Sequence, residues 1–123
     1  MKRTRILLAD DDRPMLARIS KLLQTDFEVV CVVSDGESLV DAAFKWSPDI
    51  IVTDISMPKL NGFAAARKIR ESLPRIKFIY LTTHSDRSYR AEALSVGAVA
   101  YILKSSAREE LNQAIHGVME GPS

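Results

Sequence analysis

The sequence predicts an α/β fold: a doubly wound sheet of five parallel strands, in the order 2-1-3-4-5, covered by helices on both faces. Two observations carry that prediction. Short apolar runs alternate with longer stretches whose apolar residues recur at helical spacing, a (βα) unit repeated five times. The runs are near-continuously apolar, as suits strands buried on both faces, whereas a half-exposed antiparallel strand would alternate apolar and polar. Four of the runs also end in a polar group: Asp10-Asp11, Asp54, Thr82 and Lys104. In a parallel sheet these groups emerge together at the carboxyl edge, where open α/β sheets bind ligands.

Each unit is legible in turn. Ile6 to Ala9 forms a short first strand, and Pro14, followed by Met15, Leu16, Ile19, Leu22 and Leu23, marks an amphipathic helix with proline near its start. Phe27 to Val33 is rich in β-branched residues; Asp35-Gly36-Glu37 breaks the run, and Leu39, Val40, Ala43 and Phe44 resume helical spacing. Pro48-Asp49 ends that helix and launches Ile50 to Thr53. A loop with Pro58 and Gly62 then leads to Phe63, Ala66, Ile69 and Leu73 on a third helix, closed by Pro74. Ile76 to Leu81 is the fourth strand, and Tyr89, Ala93, Leu94 and Val96 outline a shorter fourth helix that stops at Gly97. Val99 to Leu103 is the fifth strand, and Leu111, Ile115, Val118 and Met119 form the buried stripe of the last helix. Right-handed crossovers and this strand order put the switch point between strands one and three, beside Asp10, Asp11 and Asp54.

Composition narrows the function. A chain of 123 residues suits one domain, with 1–120 as the folded unit and 121–123 as the start of a linker. Its 17 basic and 16 acidic residues leave a formal charge of +1 with no block of like charge, which argues against nucleic-acid binding by this segment itself. One cysteine, Cys31, excludes an internal disulfide and a cysteine metal pair and fits a reducing cytoplasm; it reads as an inert buried thiol. Only Ile6 to Ala9 separate the basic amino terminus from three aspartates, too little for a signal or a membrane span, so no membrane partner is expected.

Taken singly, the polar strand ends have ordinary explanations. Asp11 or Asp12 suits a helix cap, Asp54 an Asx turn, Thr82 a β-branched strand residue and Lys104 a solvated strand end. Together they do not, because carboxylates gathered in one small volume repel unless a cation relieves them. An oxygen-only donor set suits a hard cation, Mg²⁺ before Mn²⁺, which accepts one or two carboxylates, waters and a phosphoryl oxygen. Phosphoryl transfer fits such a site, with Asp54 as the central nucleophile and Lys104 spreading positive charge over the phosphoryl oxygens. His84, His116, Phe44 and Trp46 read as structural, the two aromatics covering the core at a helix end.

These segments resemble the receiver domains of bacterial two-component response regulators, over essentially the whole chain. The resemblance rests on Ile6 to Asp12, on Pro48 to Gly62 with its Thr53-Asp54-Ile55-Ser56-Met57-Pro58 core, on Tyr80-Leu81-Thr82-Thr83, and on Gly97 to Lys104. It implies a flavodoxin-like (βα)5 fold in which Asp54 accepts a phosphoryl group from a phosphohistidine of a sensor histidine kinase. It further implies that Asp11, Asp54 and the backbone carbonyl of Ser56 ligate Mg²⁺, with Asp10 acting through water. Thr82 and Lys104 would bind the phosphoryl oxygens, and the Thr82 and Tyr101 side chains would form the switch.

Ser105 follows Lys104 where many receivers have a cis-proline, so no cis peptide is expected there. With Leu81-Thr82-Thr83 and the stretch from Tyr89 to Lys104, this points to the NarL/LuxR-type subfamily, whose receivers are fused to a helix-turn-helix. The expected function is therefore a phosphorylation-activated switch that regulates transcription through a DNA-binding output domain absent from this chain, with a phosphorylation-dependent homodimer as a further expectation. A stand-alone receiver and a degenerate receiver serving only as an interaction module are the alternatives. So is an aspartyl-phosphate hydrolase, although Ser56 stands where that chemistry needs a second acid. A nucleotide- or flavin-binding module lacks its glycine-rich loop here.

Overall fold

The computed structural model describes residues 3–120; the expected linker start at 121–123 lies outside the described residues. Five strands, β1 (Arg5–Ala9), β2 (Glu28–Val33), β3 (Ile50–Thr53), β4 (Lys77–Thr82) and β5 (Ala100–Leu103), alternate with five helices: α1 (Arg13–Gln24), α2 (Gly36–Trp46), α3 (Gly62–Ser72), α4 (Arg87–Ser95) and α5 (Ala107–Glu120). All pairings are parallel and the order is β2-β1-β3-β4-β5, as expected from the sequence. No cis peptide bond occurs among the described residues, in line with Ser105 after Lys104.

Alternating strand residues divide the core into two layers. Ile6, Leu8, Ile50, Val52, Ile79 and Leu81 face Leu16, Ile19 and Leu23 of α1 and Leu111 and Ile115 of α5. Leu7, Ile51, Phe78 and Tyr80 face the opposite layer, where α2, α3 and α4 contribute Leu39, Ala43, Ala66, Ile69 and Ala93. Fully burying each of the valine, leucine and isoleucine side chains contributes about 1.5–3 kcal/mol, so both faces are committed to the parallel sheet.

Strand limits shift by one residue where a turn takes the backbone donor. The Phe27 N–H is bound by the Leu23 carbonyl at 2.9 Å, so β2 starts at Glu28; the Ile76 N–H goes to Leu73 at 3.3 Å, so β4 starts at Lys77 and runs on to Thr82. Several apolar residues are more exposed than the sequence suggests. β2 is an edge strand with Val32 47% exposed, and Cys31 on it is half-buried rather than enclosed. Phe44 and Trp46 do not cover the core; the buried stripe of α2 is Leu39, Ala42 and Ala43, and the two aromatics turn outward. For the same reason Leu94 and Met119 leave the stripes set by Ala93 on α4 and by Leu111 and Ile115 on α5.

Three helices begin with a side-chain cap that satisfies an otherwise orphan N–H. Asp12 accepts from Met15 at 3.1 Å, Asp35 from Ser38 at 2.7 Å and Asn61 from Ala64 at 2.9 Å. Since Asp12 caps α1, Asp10 and Asp11 remain for other work. Asp12→Ala should lower stability by about 1 kcal/mol, read as a smaller urea midpoint with unchanged slope.

Candidate functional site

The site is made by strand register. Ala9 pairs with Thr53, so the next residues, Asp10 and Asp54, leave adjacent strands side by side; the Asp54 N–H still binds the Ala9 carbonyl at 3.0 Å, and the Asp10 N–H binds Val33 at 3.1 Å. Both aspartates are buried, Asp10 at 3% and Asp54 at 7% exposure. From the far edge, Lys104 reaches both: its Nζ lies 2.8 Å from Asp10 Oδ2 and 2.9 Å from Asp54 Oδ2. Asp11, exposed at the rim, completes a trio in which one carboxylate oxygen from each residue lies within 4.8 Å of the others.

Two buried acids therefore share one ammonium, with a third acid beside them. Burial pushes the Asp10 carboxyl up from its ordinary value; the Lys104 hydrogen bond works against this, and the charge on Asp54 adds to it. Burial would depress the Lys104 ammonium, yet its bonds to Asp10 and Asp54 outweigh that and hold its pKa above 10.5. A base whose folded pKa is raised stabilises the fold fully below its unfolded value and loses that contribution as pH rises through the folded value. The unsubstituted chain should accordingly lose stability in the alkaline range above pH 10.5, a loss to which the Tyr80 and Tyr101 hydroxyls, pushed up by burial, also contribute and which Lys104→Met should reduce. Denaturation midpoints measured across that range check it.

The donors fit a hard divalent cation: every side-chain donor is an oxygen, the trio is close enough to converge on one ion, and its negative charge exceeds what Lys104 supplies.

The loops after β3 and β4 form the rest of the rim. Asp54 Oδ1 accepts the Ile55 N–H at 2.7 Å, which fixes the carboxylate plane and leaves Oδ2 to Lys104. Ser56 is exposed and turns its hydroxyl to His84 Nε2 at 3.0 Å, so its side chain stands outside the acidic trio. Thr82 is fully buried at the end of β4, its hydroxyl accepting the His84 N–H at 3.2 Å. Tyr101, half-buried on β5, donates to the His84 carbonyl at 2.7 Å beneath the Arg90 guanidinium, 4.6 Å from its ring centroid.

Asp10, Asp11, Asp54 and Lys104 are thus brought together as the sequence predicts, while Thr82 and Tyr101 meet one step away at the loop carrying His84. His84 is more than a loop residue. Its ring stacks on Tyr89 at 4.3 Å and its backbone serves both Thr82 and Tyr101. Position in sequence, two residues past Thr82, was the one available signal. Gly62 is a second contributor that residue chemistry alone does not disclose: a Cβ there would lie 2.3 Å from the Asp54 carbonyl oxygen, so only glycine lets α3 start against the Asp54 loop.

This geometry can be set beside known proteins. Residues 6–116 match the family described as the response regulator receiver domain. The chain is 36% identical over 118 residues to the transcriptional regulatory protein DegU of Brevibacillus brevis, covering 94% of this chain and 50% of that protein. It is 37% identical over 120 residues to the oxygen regulatory protein NreC of Staphylococcus epidermidis, covering 95% and 55%. It therefore spans about half the length of these relatives. Among solved structures, a DNA-binding response regulator of the LuxR family from Staphylococcus aureus superimposes with a TM-score of 0.89 at 27% identity, covering 94% of this chain and 98% of that one. Matching sequence over nearly the whole chain, the five-stranded order and the edge-on acidic trio lead to one conclusion: the chain belongs to the response regulator receiver domain family.

Proposed function

We propose that the chain is a phosphorylation-activated switch, with Asp54 as phosphoacceptor and a sensor histidine kinase as donor. The observation that carries this reading is Lys104, which draws two buried carboxylates together at 2.8 and 2.9 Å at the carboxyl edge of the sheet beside Asp11. An Asp54 carboxylate oxygen attacks phosphorus, the P–N bond to the kinase imidazole breaks, and the electron pair leaves with the imidazole. Lys104, released from Asp54 as that oxygen becomes an acyl phosphate, is placed to bind the transferred oxygens. Asp10, Asp11, Asp54 and the Ser56 carbonyl would hold Mg²⁺, or Mn²⁺ in its place. When bound, that ion supplies positive charge for the phosphoryl oxygens and offsets repulsion among the acids.

Thr82 is the switch residue. A hydrogen bond to a charged group is worth about 1.5–3 kcal/mol and a charge pair at about 4 Å roughly 4 kcal/mol gross at an effective dielectric of about 20, against about 5.5 kcal/mol needed to invert a 1:99 equilibrium. Turning its hydroxyl from the His84 N–H to the phosphoryl group would free the loop that Tyr101 holds by its carbonyl. Thr82→Ala should leave Asp54 phosphorylatable and weaken the response, read by sedimentation with and without beryllofluoride; an unchanged response removes Thr82 from the mechanism.

The lengths of the relatives support a longer protein in which residues 1–120 form the receiver and a DNA-binding output domain lies beyond it. No helix among the described residues is long and apolar enough to cross a membrane, and we place the protein in the cytoplasm with its kinase. A phosphorylation-dependent homodimer is part of the same reading. Acetyl phosphate with Mg²⁺, followed by intact mass, tests it: one stable phosphoryl adduct, lost in Asp54→Asn, is expected. Rapid turnover without an adduct would instead indicate a hydrolase, and no adduct at all an interaction module.

A further inference from the structure

α4 is held differently from the other helices. Within its span only Ala93 is buried, and the Asp86 side chain at its start makes no capping bond. Three residues of α3 at i, i+4 and i+7, which share one helix face, grip α4 instead. Phe63 stacks on Tyr89 at 6.2 Å between centroids, Arg67 pairs with Glu92, and the Arg70 guanidinium donates to the Val96 carbonyl at the end of α4. Gly97 follows this contact with a φ of +87°, a left-handed backbone conformation that favours glycine whatever surrounds it.

The Phe63–Tyr89 rung is tied to the phosphorylation site from both helices. Beside Phe63, Gly62 of α3 donates to the Ile55 carbonyl at 2.7 Å and accepts from the Tyr80 hydroxyl at 2.9 Å. On α4, Tyr89 stacks on His84, whose backbone binds both Thr82 and Tyr101.

We propose that Phe63, Arg67 and Arg70 form a ladder that holds α4 in the arrangement seen here, so that it opposes the movement of α4 that follows when Thr82 releases the His84 loop on which Tyr89 stacks, and sets the threshold of the switch. The inference rests on the receiver reading above. Arg67 and Arg70 are positioning residues: they act on α4 and touch neither Asp54 nor its phosphoryl group. Linkage fixes the sign. What stabilises the unphosphorylated arrangement weakens binding of any ligand that favours the other, so loosening the ladder tightens that ligand.

Beryllofluoride with Mg²⁺, titrated into the whole chain and followed by ¹⁹F NMR, is the probe. Arg67→Ala and Arg70→Ala should each bind it about fivefold more tightly, the low end of usual coupling. Amide exchange in α4 should rise while β1 and β3 stay protected. The exchanged pair R67E/E92R should return affinity to the parent value, a rescue that a merely destabilised fold would not give. If Arg70→Ala does not fold, Arg67→Ala carries the test, because Arg67 and Glu92 are 52% and 40% exposed. Unchanged or weaker binding in the variants, with the parent binding normally, overturns the ladder and leaves the receiver reading intact. A parent that binds no beryllofluoride overturns the receiver reading and the ladder with it.

Discussion

Lys104→Met should lower stability at neutral pH by about 3–5 kcal/mol, because removing one partner of a buried ion pair strands the other. Here it strands two. Asp10 and Asp54 are almost fully buried and both rest on the Lys104 ammonium, itself only 10% exposed. Burial already pushes the Asp10 carboxyl up against the pull of that ammonium, so without it Asp10 takes up a proton more readily still. Urea denaturation in EDTA measures the loss. Adding Mg²⁺ should raise the variant's midpoint more than the parent's, since an ion that binds only the folded chain stabilises it by mass action and the variant's acids lack any competing cation. A loss below about 1 kcal/mol would mean that the ammonium is solvated and the pair weak.

Gly62→Ala should disable the site by a purely steric route. The new Cβ would lie 2.3 Å from the Asp54 carbonyl oxygen and 3.1 Å from the Ile55 Cα, and backbone atoms cannot swing aside as a flexible side chain can. Either α3 or the Asp54 loop must move, at about 1–3 kcal/mol for an overpacked contact. The Gly62 N–H to Ile55 bond of 2.7 Å ties the two together, so the acceptor moves with them. Phosphorylation by acetyl phosphate should fall at least tenfold, a loss of about 1.4 kcal/mol in transition-state stabilisation, while the melting temperature drops by several degrees. A variant that folds and phosphorylates like the parent would show that α3 and the Asp54 loop are not packed as described.

What the sequence disclosed was what depends on local pattern. Apolar runs such as Ile50 to Thr53 and the polar residue after each could mean little else in a parallel sheet, and so strand order, both core layers and the meeting of Asp10, Asp54 and Lys104 were legible. What escaped depends on which way a helix is turned or where the sheet ends. Phe44, Trp46, Leu94 and Met119 are apolar, but each lies about 100° around its helix from a buried neighbour or beyond the packed turns. Cys31 and Val32 are apolar on β2, whose outer edge no strand covers. The ladder from α3 to α4 was hidden for another reason: Arg67, Arg70 and Glu92 look like an ordinary solvated face until a second helix is laid against it.

The claim on which the rest depends is that acids from two strand ends converge on one divalent ion beside Lys104. Mn²⁺ titration followed by amide NMR tests it without any phosphoryl donor, because the paramagnetic ion broadens only what lies near it. Broadening should centre on the amides of Asp10, Asp11, Asp54, Ile55 and Ser56, fade toward Val96 and Met119, and disappear in a variant with Asp11→Asn and Asp54→Asn. Broadening spread evenly over the exposed acids, or centred away from the carboxyl edge, would contradict the account.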